Sequence, residues 1–520
     1  MTTFHIEQFG CRATQADGAA LERQLLDRGC TPAPDPGSAS VVVLNTCTVT
    51  AAADVQARDA IRKIHAQNPQ ARLIVTGCYA QRAPEELAAL PGVTWVVGNS
   101  HKPQIPALIT QIAPVAVTAA LRRESVIPSE ARNPLFLPTS LDAPYHSFVG
   151  ALHSVPAPWK TLNPHAPPNA AQILTSDIFA RPEFLSAPIQ GGESHRTRPI
   201  LKIQDGCNNR CSFCVIPFVR GKSRSLPPDQ VICEINSLVA QALLPVSISS
   251  STSSTSSTSC TSSISPAREI VLSGINLGTY GRDLSPRAEF IDLLRRILDE
   301  TPLERLRISS IEPQDVTQDL IDLFASTDRI AQHFHMPLQS ASDPILAAMY
   351  RWYRSEHYAR RVQLIHDRLP NASLGADVIA GFPGETEADH AVTLAFIDRH
   401  PFTYLHVFSY SPRPGTKAAE SPDQVPDHII KRRARELRAL AEAKSTAFRR
   451  AQINRTLRVL TLHRKAHDER EGLTPALSSN YLKVFIPGVY EPNLWRDIQI
   501  SQENLSPVKD TRVADVVPST

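Results

Sequence analysis

The amino-acid sequence predicts an α/β protein in three parts: an N-terminal open parallel α/β domain, a central partial (β/α) barrel and a small C-terminal β-barrel-like domain. Three observations carry this. Apolar runs alternate with helix-like segments over residues 3–100. The same alternation resumes at Pro199 and repeats six times. From Thr456 it gives way to short strands separated by turns. The length agrees, since 520 residues make about three domains at roughly 150 each.

In the first part, residues 1–112, the apolar runs are Phe4–Ile6, Val41–Leu44, Leu73–Val75 and Val93–Val97, with helix-like segments near Gly18–Arg28 and Ala52–Ala66. Residues 113–198 break the rhythm. Twelve prolines fall within the 78 residues 113–190, nearly twice the density of the chain, with turn-forming pairs such as Asn133-Pro134 and Pro167-Pro168. This reads as an insertion or linker, mostly without regular structure. The barrel is assigned to residues 199–448. Its strands are expected at Ile200–Gln204, Glu269–Leu272, Arg305–Ile308, His333–His335, Ser373–Val378 and Tyr404–Phe408. Helices are expected between them, among them Glu289–Glu300, Thr317–Ser326, Asp343–Met349 and Glu387–His400. Within this part, 16 of the 19 residues 247–265 are Ser or Thr. Such a tract buries too little apolar surface to offset its ordering entropy, so it reads as an insertion between the helix-like Pro228–Leu244 and the next strand. Asp427–Arg450 reads as an amphipathic helix. It leads into residues 449–515, with strands expected at Leu457–Leu462, Tyr481–Ile486 and Asp497–Ile500.

Composition narrows the function classes. A hydrophobic content of 42% excludes a wholly disordered chain. A net charge of +3 gives no global basic field, so any nucleic-acid contact must come from a local patch. Met1–Glu7 lacks a charged n-region and an apolar h-region, and no run approaches the ~18 apolar residues of a membrane span. A cytoplasmic protein without a membrane anchor is expected. Nine cysteines, an odd number and partly clustered, then point to reduced thiols, metal ligands or catalysis rather than a disulfide scaffold.

Two constellations use six of those cysteines. Cys207, Cys211 and Cys214 stand at Cys-x3-Cys-x2-Cys spacing in a loop that follows the strand Ile200–Gln204, at the barrel mouth. Thiolates are soft ligands and suit iron–sulfur clusters or zinc. A closed zinc site wants four ligands and this loop offers three, so zinc requires a distant fourth. On a cubane, three ligands leave one iron open to chelate a small molecule. Cys11, Cys47 and Cys78 each follow an expected parallel strand. Loops at one edge of such a sheet converge on one crevice, so these thiols are expected to share a metal; the bland alternative is three unrelated small buried residues. Cys30, Cys233 and Cys260 have no partner at ligand spacing and read as incidental.

The motif Cys207-x3-Cys211-x2-Cys214, with Phe213 before the last Cys, resembles the radical S-adenosylmethionine (SAM) superfamily. With Cys11, Cys47 and Cys78 added, the chain resembles the methylthiotransferases, over residues 1–100 and about 199–515. Asn45–Thr50, Gly77–Gln81, Gly274–Gly281 and Ser309–Pro313 look like the MtaB branch, which acts on tRNA carrying N6-threonylcarbamoyladenosine beside the anticodon. Thr14 departs from the pattern, since the family usually has Asn there.

The resemblance implies two 4Fe–4S clusters and SAM as cofactors. The cluster on Cys207, Cys211 and Cys214 cleaves SAM to methionine and a 5′-deoxyadenosyl radical, which removes hydrogen from C2 of the adenine. The auxiliary cluster on Cys11, Cys47 and Cys78 delivers sulfur, and a second SAM supplies the methyl group. Expected SAM contacts are Gly274, Asn276 and Gly278 in a Gly-rich loop, Asp377 and Gly381 in a segment that resembles one near the SAM adenosine, and Ser309, Glu312 and Gln339 after other strands. For each polar one a hydrogen-bonded structural role is the alternative. The last segment resembles a TRAM domain, an RNA-binding β module. Lys431, Arg432, Arg433, Arg435 and Arg438, continued by Arg449, Arg450, Arg455 and Arg458, form a basic stretch suited to tRNA phosphates. The expected partners are the tRNA anticodon loop and an electron donor such as a flavodoxin or ferredoxin, for a monomeric enzyme. Alternative acceptors are isopentenyladenosine in tRNA or a ribosomal protein. A non-enzymatic, metal-stabilised RNA-binding protein is the more distant alternative.

Overall fold

The computed structural model describes residues 2–112, 171–180, 184–185, 189–191, 196–240, 266–465, 468 and 472–505. The expected Ser/Thr insertion at 247–265 and most of the expected linker lie outside the described residues.

The N-terminal sheet is parallel throughout. Its order is Thr31–Pro32, Thr3–Gln8, Val41–Thr46, Arg72–Gly77, Val93–Gly98, Gln172–Leu174. Val41–Thr46 is buried along its whole length, as a strand covered on both faces must be. Its side chains alternate between two cores. Val42 and Leu44 pack with Ile61 and Leu73, while Val41 and Val43 pack with Leu21, Leu25 and Ile109. The edge strand Gln172–Leu174 comes from within the Pro-rich region, an element its composition hides. The first helix runs Arg12–Asp27, starting six residues before the expected Gly18. Its first turns offer no apolar stripe. They are buried because Ala16 and Ala19 pack on Ile200 and Val271 of the barrel.

The barrel is built from six parallel strands in two sheets. Arg196–Lys202, Glu269–Ser273 and Arg305–Ile308 form one; His333–His335, Ser373–Ala380 and Tyr404–Ser409 form the other. A parallel bridge, Leu306 to Ile330, joins them. Ile189–Gly191 adds an antiparallel edge. The outer faces, with Leu201, Ile203, Ile270 and Leu272, pack under helices that include Pro228–Ala240 and Phe290–Glu300, in one continuous core. Thr386 caps the helix Glu387–Arg399 in a reciprocal box with Asp389. The inner face carries the residues that matter below, and the first helix of the N-terminal domain lies against it.

The C-terminal part is a four-stranded antiparallel sheet, ordered Lys483–Pro487, Leu473–Ser478, Thr456–Thr461, Trp495–Gln499. Leu473–Ser478 escapes the sequence reading because Pro475 interrupts its pattern. The expected strand Tyr481–Ile486 starts two residues late, at Lys483, because Tyr481 takes φ 64° in a turn. This turn docks on the amino ends of the barrel strands. Arg305 donates to Leu477 O at 3.0 Å, and Arg307 donates to Ser478 O and Ser479 O at 3.0 and 3.1 Å. The amino end of the barrel is thereby covered, and the cysteine loops occupy the other end.

Candidate active site

Gly206 opens the Cys207–Cys214 loop at φ 72°. A Cβ there would stand 2.0 Å from Lys222 O, so glycine is required. Ser212 anchors the loop, donating through Oγ to Ala348 O at 2.7 Å, and Phe213 packs edge-on to Phe382. Arg351 donates to Cys211 Sγ at 3.4 Å and pairs with Glu312. Burial pushes the Cys214 thiol up to about 12, with Cys211 adding to it, and burial likewise raises Cys207. Cys207 and Cys214 therefore resist ionisation until a cation compensates them.

The second triad has the same logic. Cys11 is the N-cap of the helix Arg12–Asp27. Cys47 follows its strand and is fully buried. Cys78 begins the short helix Cys78–Arg82 after Gly77, which sits at φ 104° because a Cβ would meet Thr46 O at 2.2 Å. Gly10 plays the matching part for Cys47: a Cβ on it would lie 2.4 Å from Cys47 Cβ. Burial first, then Cys11 and Cys78, hold the Cys47 thiol far above its ordinary range. Among the described residues every cysteine is free.

Neither triad closes to a triangle of 4.8 Å, which among the described residues only His335, Asp377 and His406 do. Zinc–sulfur bonds of about 2.3 Å hold sulfurs within about 4 Å of one another.

The two triads lie on facing edges. Asn99 donates both to Cys78 Sγ (3.6 Å) and to Val219 O (2.8 Å), five residues beyond Cys214. Arg413, past the last barrel strand, donates to Asp54 (2.7 Å) and Thr48 O (3.2 Å), just past Cys47. A buried charge network closes the joint. Asp17 accepts from Lys102 at 2.9 Å, from Arg220 at 3.1 Å and from Lys202; Asp205 accepts from Arg220 and Lys202, each at 2.9 Å. With Arg224 at 3.9 Å from Asp205, four cations face two carboxylates, and Arg220 is drawn electrostatically toward Cys78 and Cys11 as well. Thr14, the departure from the family pattern, has a place here: its Oγ1 accepts from Arg220 at 3.3 Å and touches Cys11 Sγ at 3.6 Å.

Burial opposes ionisation of Asp17, but Lys102, Lys202 and Arg220 outweigh it and bring its pKa from 3.8 to about 2. Its stabilising contribution is therefore full above pH 3.8 and is lost as pH falls toward about 2. Asp17→Asn leaves buried Lys102 without a carboxylate, while Lys202 and Arg220 keep Asp205, and is expected to cost about 3 kcal/mol, read as a lowered urea midpoint. An unchanged midpoint would contradict the network's role.

The expected SAM contacts fall into two groups. Asn276 lies beside Cys207, its side-chain amide buried and turned to the thiol, with Oδ1 left unpartnered, and its backbone N–H donates to Gln204 Oε1 at 2.7 Å. Glu312 reaches the cluster loop through Arg351. Ser309 and Gln339 follow inner strands, and Gln339 takes φ 61° beside Asp377 O. The glycines have packing reasons. A Cβ on Gly274 would crowd Leu277 and Gln204, on Gly278 it would collide with Asp315, and on Gly381 with Ile430. Asp377 is engaged inside the barrel, paired with His335 at 3.0 Å.

The basic helix needs correction. Arg433 is buried and bound to Glu385 (2.9 Å) and Glu387 (2.7 Å), and Arg432 pairs with Glu387 and Glu436. Both fasten the helix Asp427–Arg450 to the barrel; Arg433 is turned inward, while Arg432 remains 43% exposed with its charge already paired. Arg458 pairs with Glu304 at 3.3 Å, whereas Lys431, Arg435, Arg438 and Arg450 are exposed. Sequence alone missed the inner polar layer of His333, His335, Tyr404 and His406. Its one trace is alternation: His333 and His335, like Tyr404 and His406, are two apart on a strand and so share a face.

Six parallel strands with three thiols beyond the first of them define a radical SAM enzyme. Residues 201–397 match the radical SAM superfamily, and residues 3–98 match a family described as uncharacterized protein family UPF0004. The fold is shared with the radical SAM methyltransferase TsrM from Kitasatospora setae, a structure with cobalamin and a [4Fe–4S] cluster bound, at 15% identity and a TM-score of 0.53 over 81% of this chain and 77% of that one. Among curated relatives, the chain is 32% identical to the threonylcarbamoyladenosine tRNA methylthiotransferase MtaB of Bacillus subtilis, over 94% of this chain and 91% of the relative. It is 31% identical to MtaB of Aquifex aeolicus, over 88% and 92%. It is also 31% identical to the tRNA-2-methylthio-N(6)-dimethylallyladenosine synthase of Sphingopyxis alaskensis, over 94% and 92%. The chain belongs to the radical SAM methylthiotransferase family, on its MtaB-like side. Membership carries SAM and a 4Fe–4S cluster with it. Among the described residues no helix is long and apolar enough to cross a membrane.

Proposed function

We propose that the protein adds a methylthio group to C2 of N6-threonylcarbamoyladenosine beside the anticodon of tRNA. The observation that carries the reading is the placement of two separate cysteine triads on facing edges of two domains, each a ligand short of a closed four-ligand site. Cys207, Cys211 and Cys214 hold one 4Fe–4S cluster, and Cys11, Cys47 and Cys78 hold the second. When bound, the clusters and SAM supply an electron, a radical and sulfur, which an unactivated aromatic C–H bond requires because it offers no easy polar route.

The chain's own residues do the rest. Arg351, clamped by Glu312, positions Cys211. Arg220 and Lys102 place positive charge beside the second triad and offset its thiolates. Asn276 offers its buried amide, beside Cys207, to the amino and carboxylate groups of SAM, with Gly274, Gly278, Ser309, Gln339 and Gly381 near the same strand ends. The exposed Lys431, Arg435, Arg438 and Arg450, with the TRAM-like sheet, suit tRNA phosphates. A single-stranded anticodon loop lets the target base leave its stack. A flavodoxin or ferredoxin is the electron donor of a monomeric cytoplasmic enzyme.

Mass spectrometry of tRNA nucleosides from a deletion strain tests the acceptor. The expected result is complete loss of the methylthio form of threonylcarbamoyladenosine. Loss of the methylthio isopentenyl form instead would overturn it.

A further inference from the structure

The inner face of the barrel is polar. Ile200 and Val271, its apolar residues beside the N-terminal domain, are covered by Ala16 and Ala19. Opposite them, His335 pairs with Asp377 at 3.0 Å, and Tyr404 OH bridges His333 Nε2 (2.7 Å) and His335 Nδ1 (3.0 Å). His406 and Tyr481 complete the wall by ring contacts. Near the barrel's amino end the charges do not balance. Arg198, Arg305 and Arg307 all bind one carboxylate, Glu269, at 3.1, 2.5 and 2.7 Å.

Into this layer reaches a fourth guanidinium, that of Arg12, the residue after Cys11. Its electrostatic neighbours are Tyr481, Arg198, Tyr404 and Arg307, and it also acts on His333 and His406. The residue is half-buried, its Nε is sealed from solvent without a hydrogen bond, and among the described residues it forms no ion pair, so its terminal nitrogens remain open to a ligand. His333 Nδ1 and His406 Nδ1 are likewise buried and unpartnered. An unpaired guanidinium in such a place is costly unless an anion meets it. Arg is also the side chain whose forked donors match a carboxylate.

We infer that Arg12 binds the carboxylate of the threonylcarbamoyl substituent, and so selects this base over one bearing an apolar substituent. The inference rests on the acceptor proposed above. Arg12 links recognition to sulfur delivery, because it follows a ligand of the second triad directly. His406, whose Nδ1 is unpartnered and which burial and then His335 bring down to about 4, is uncharged at neutral pH and serves the substituent's hydroxyl or amide. A dimethylallyl group in the same place would strand Arg12 and the histidines unpaired, which is how a polar site rejects an apolar analogue.

The test uses the cluster-loaded enzyme and anticodon stem-loop RNAs. One carries threonylcarbamoyladenosine, a second the analogue with its carboxylate reduced to an alcohol, and a third isopentenyladenosine. Equilibrium binding and kcat/KM are measured for each, with iron and sulfide content as the control for intact clusters. Wild type is expected to prefer the carboxylate over the alcohol by about 10- to 100-fold, the worth of a charge-assisted hydrogen-bond pair. In Arg12→Gln the preference collapses to within about threefold, and Arg12→Lys restores part of it. A preference undiminished in Arg12→Gln overturns the inference. If that variant loses its clusters, the wild type decides: equal binding and turnover of acid and alcohol overturn it. Wild type acting only on the isopentenyl RNA would instead remove the acceptor reading itself, a distinguishable outcome.

Discussion

Cys211→Ala abolishes reductive cleavage of SAM to 5′-deoxyadenosine, and with it all modification. The expected loss exceeds the roughly 10- to 100-fold that removal of a mere outer partner of a metal ligand costs. The structure says why this variant still folds. Cys211 is held from outside, by Arg351 at 3.4 Å, and Arg351 keeps its pairing with Glu312 when the sulfur is gone. Ser212 and Phe213 keep anchoring the loop to Ala348 and Phe382. Anaerobic assay of reconstituted protein, with 5′-deoxyadenosine quantified by chromatography, measures the effect. Cleavage at a tenth of the wild-type rate or better would show that Cys211 is not a ligand of the SAM-cleaving cluster.

Cys47→Ala separates the two tasks. SAM cleavage is expected to stay within about threefold of wild type, while thiolation falls by more than about 100-fold, beyond an outer-partner effect. The thiol is fully buried and lies over Gly10, so alanine keeps the Cβ and removes only the sulfur. The joint between the domains does not depend on it: Asn99, Arg220 and Arg413 span that boundary through Val219, Asp17 and Asp54. The same reactions, analysed for methylthiolated nucleoside, give the answer. Full thiolation by this variant would break the assignment of two clusters.

Much of this was legible in the sequence because its signals are local. The run Val41–Leu44, buried on both faces, carries the mark of a parallel strand, and the spacing of Cys207, Cys211 and Cys214 lies within one loop. What was not legible depends on surfaces that meet only after folding. The first turns of Arg12–Asp27 are polar in sequence and buried in fact, because their partners Ile200, Lys202 and Arg220 lie some 185 or more residues away. Arg433 looks like a phosphate ligand until Glu385 and Glu387 are placed beside it. Arg12 shows the reverse. In sequence it is one more basic residue beside a cysteine, and only the assembled barrel shows that no described carboxylate answers it.

The most direct measurement is iron and sulfide content with Mössbauer spectra of anaerobically isolated protein, for wild type and for the two cysteine variants. Two cubanes require about eight irons per chain, falling to about four in Cys211→Ala and about four in Cys47→Ala, with a different cluster surviving in each. A wild type holding one cluster, or a single variant that empties both triads together, would contradict the account.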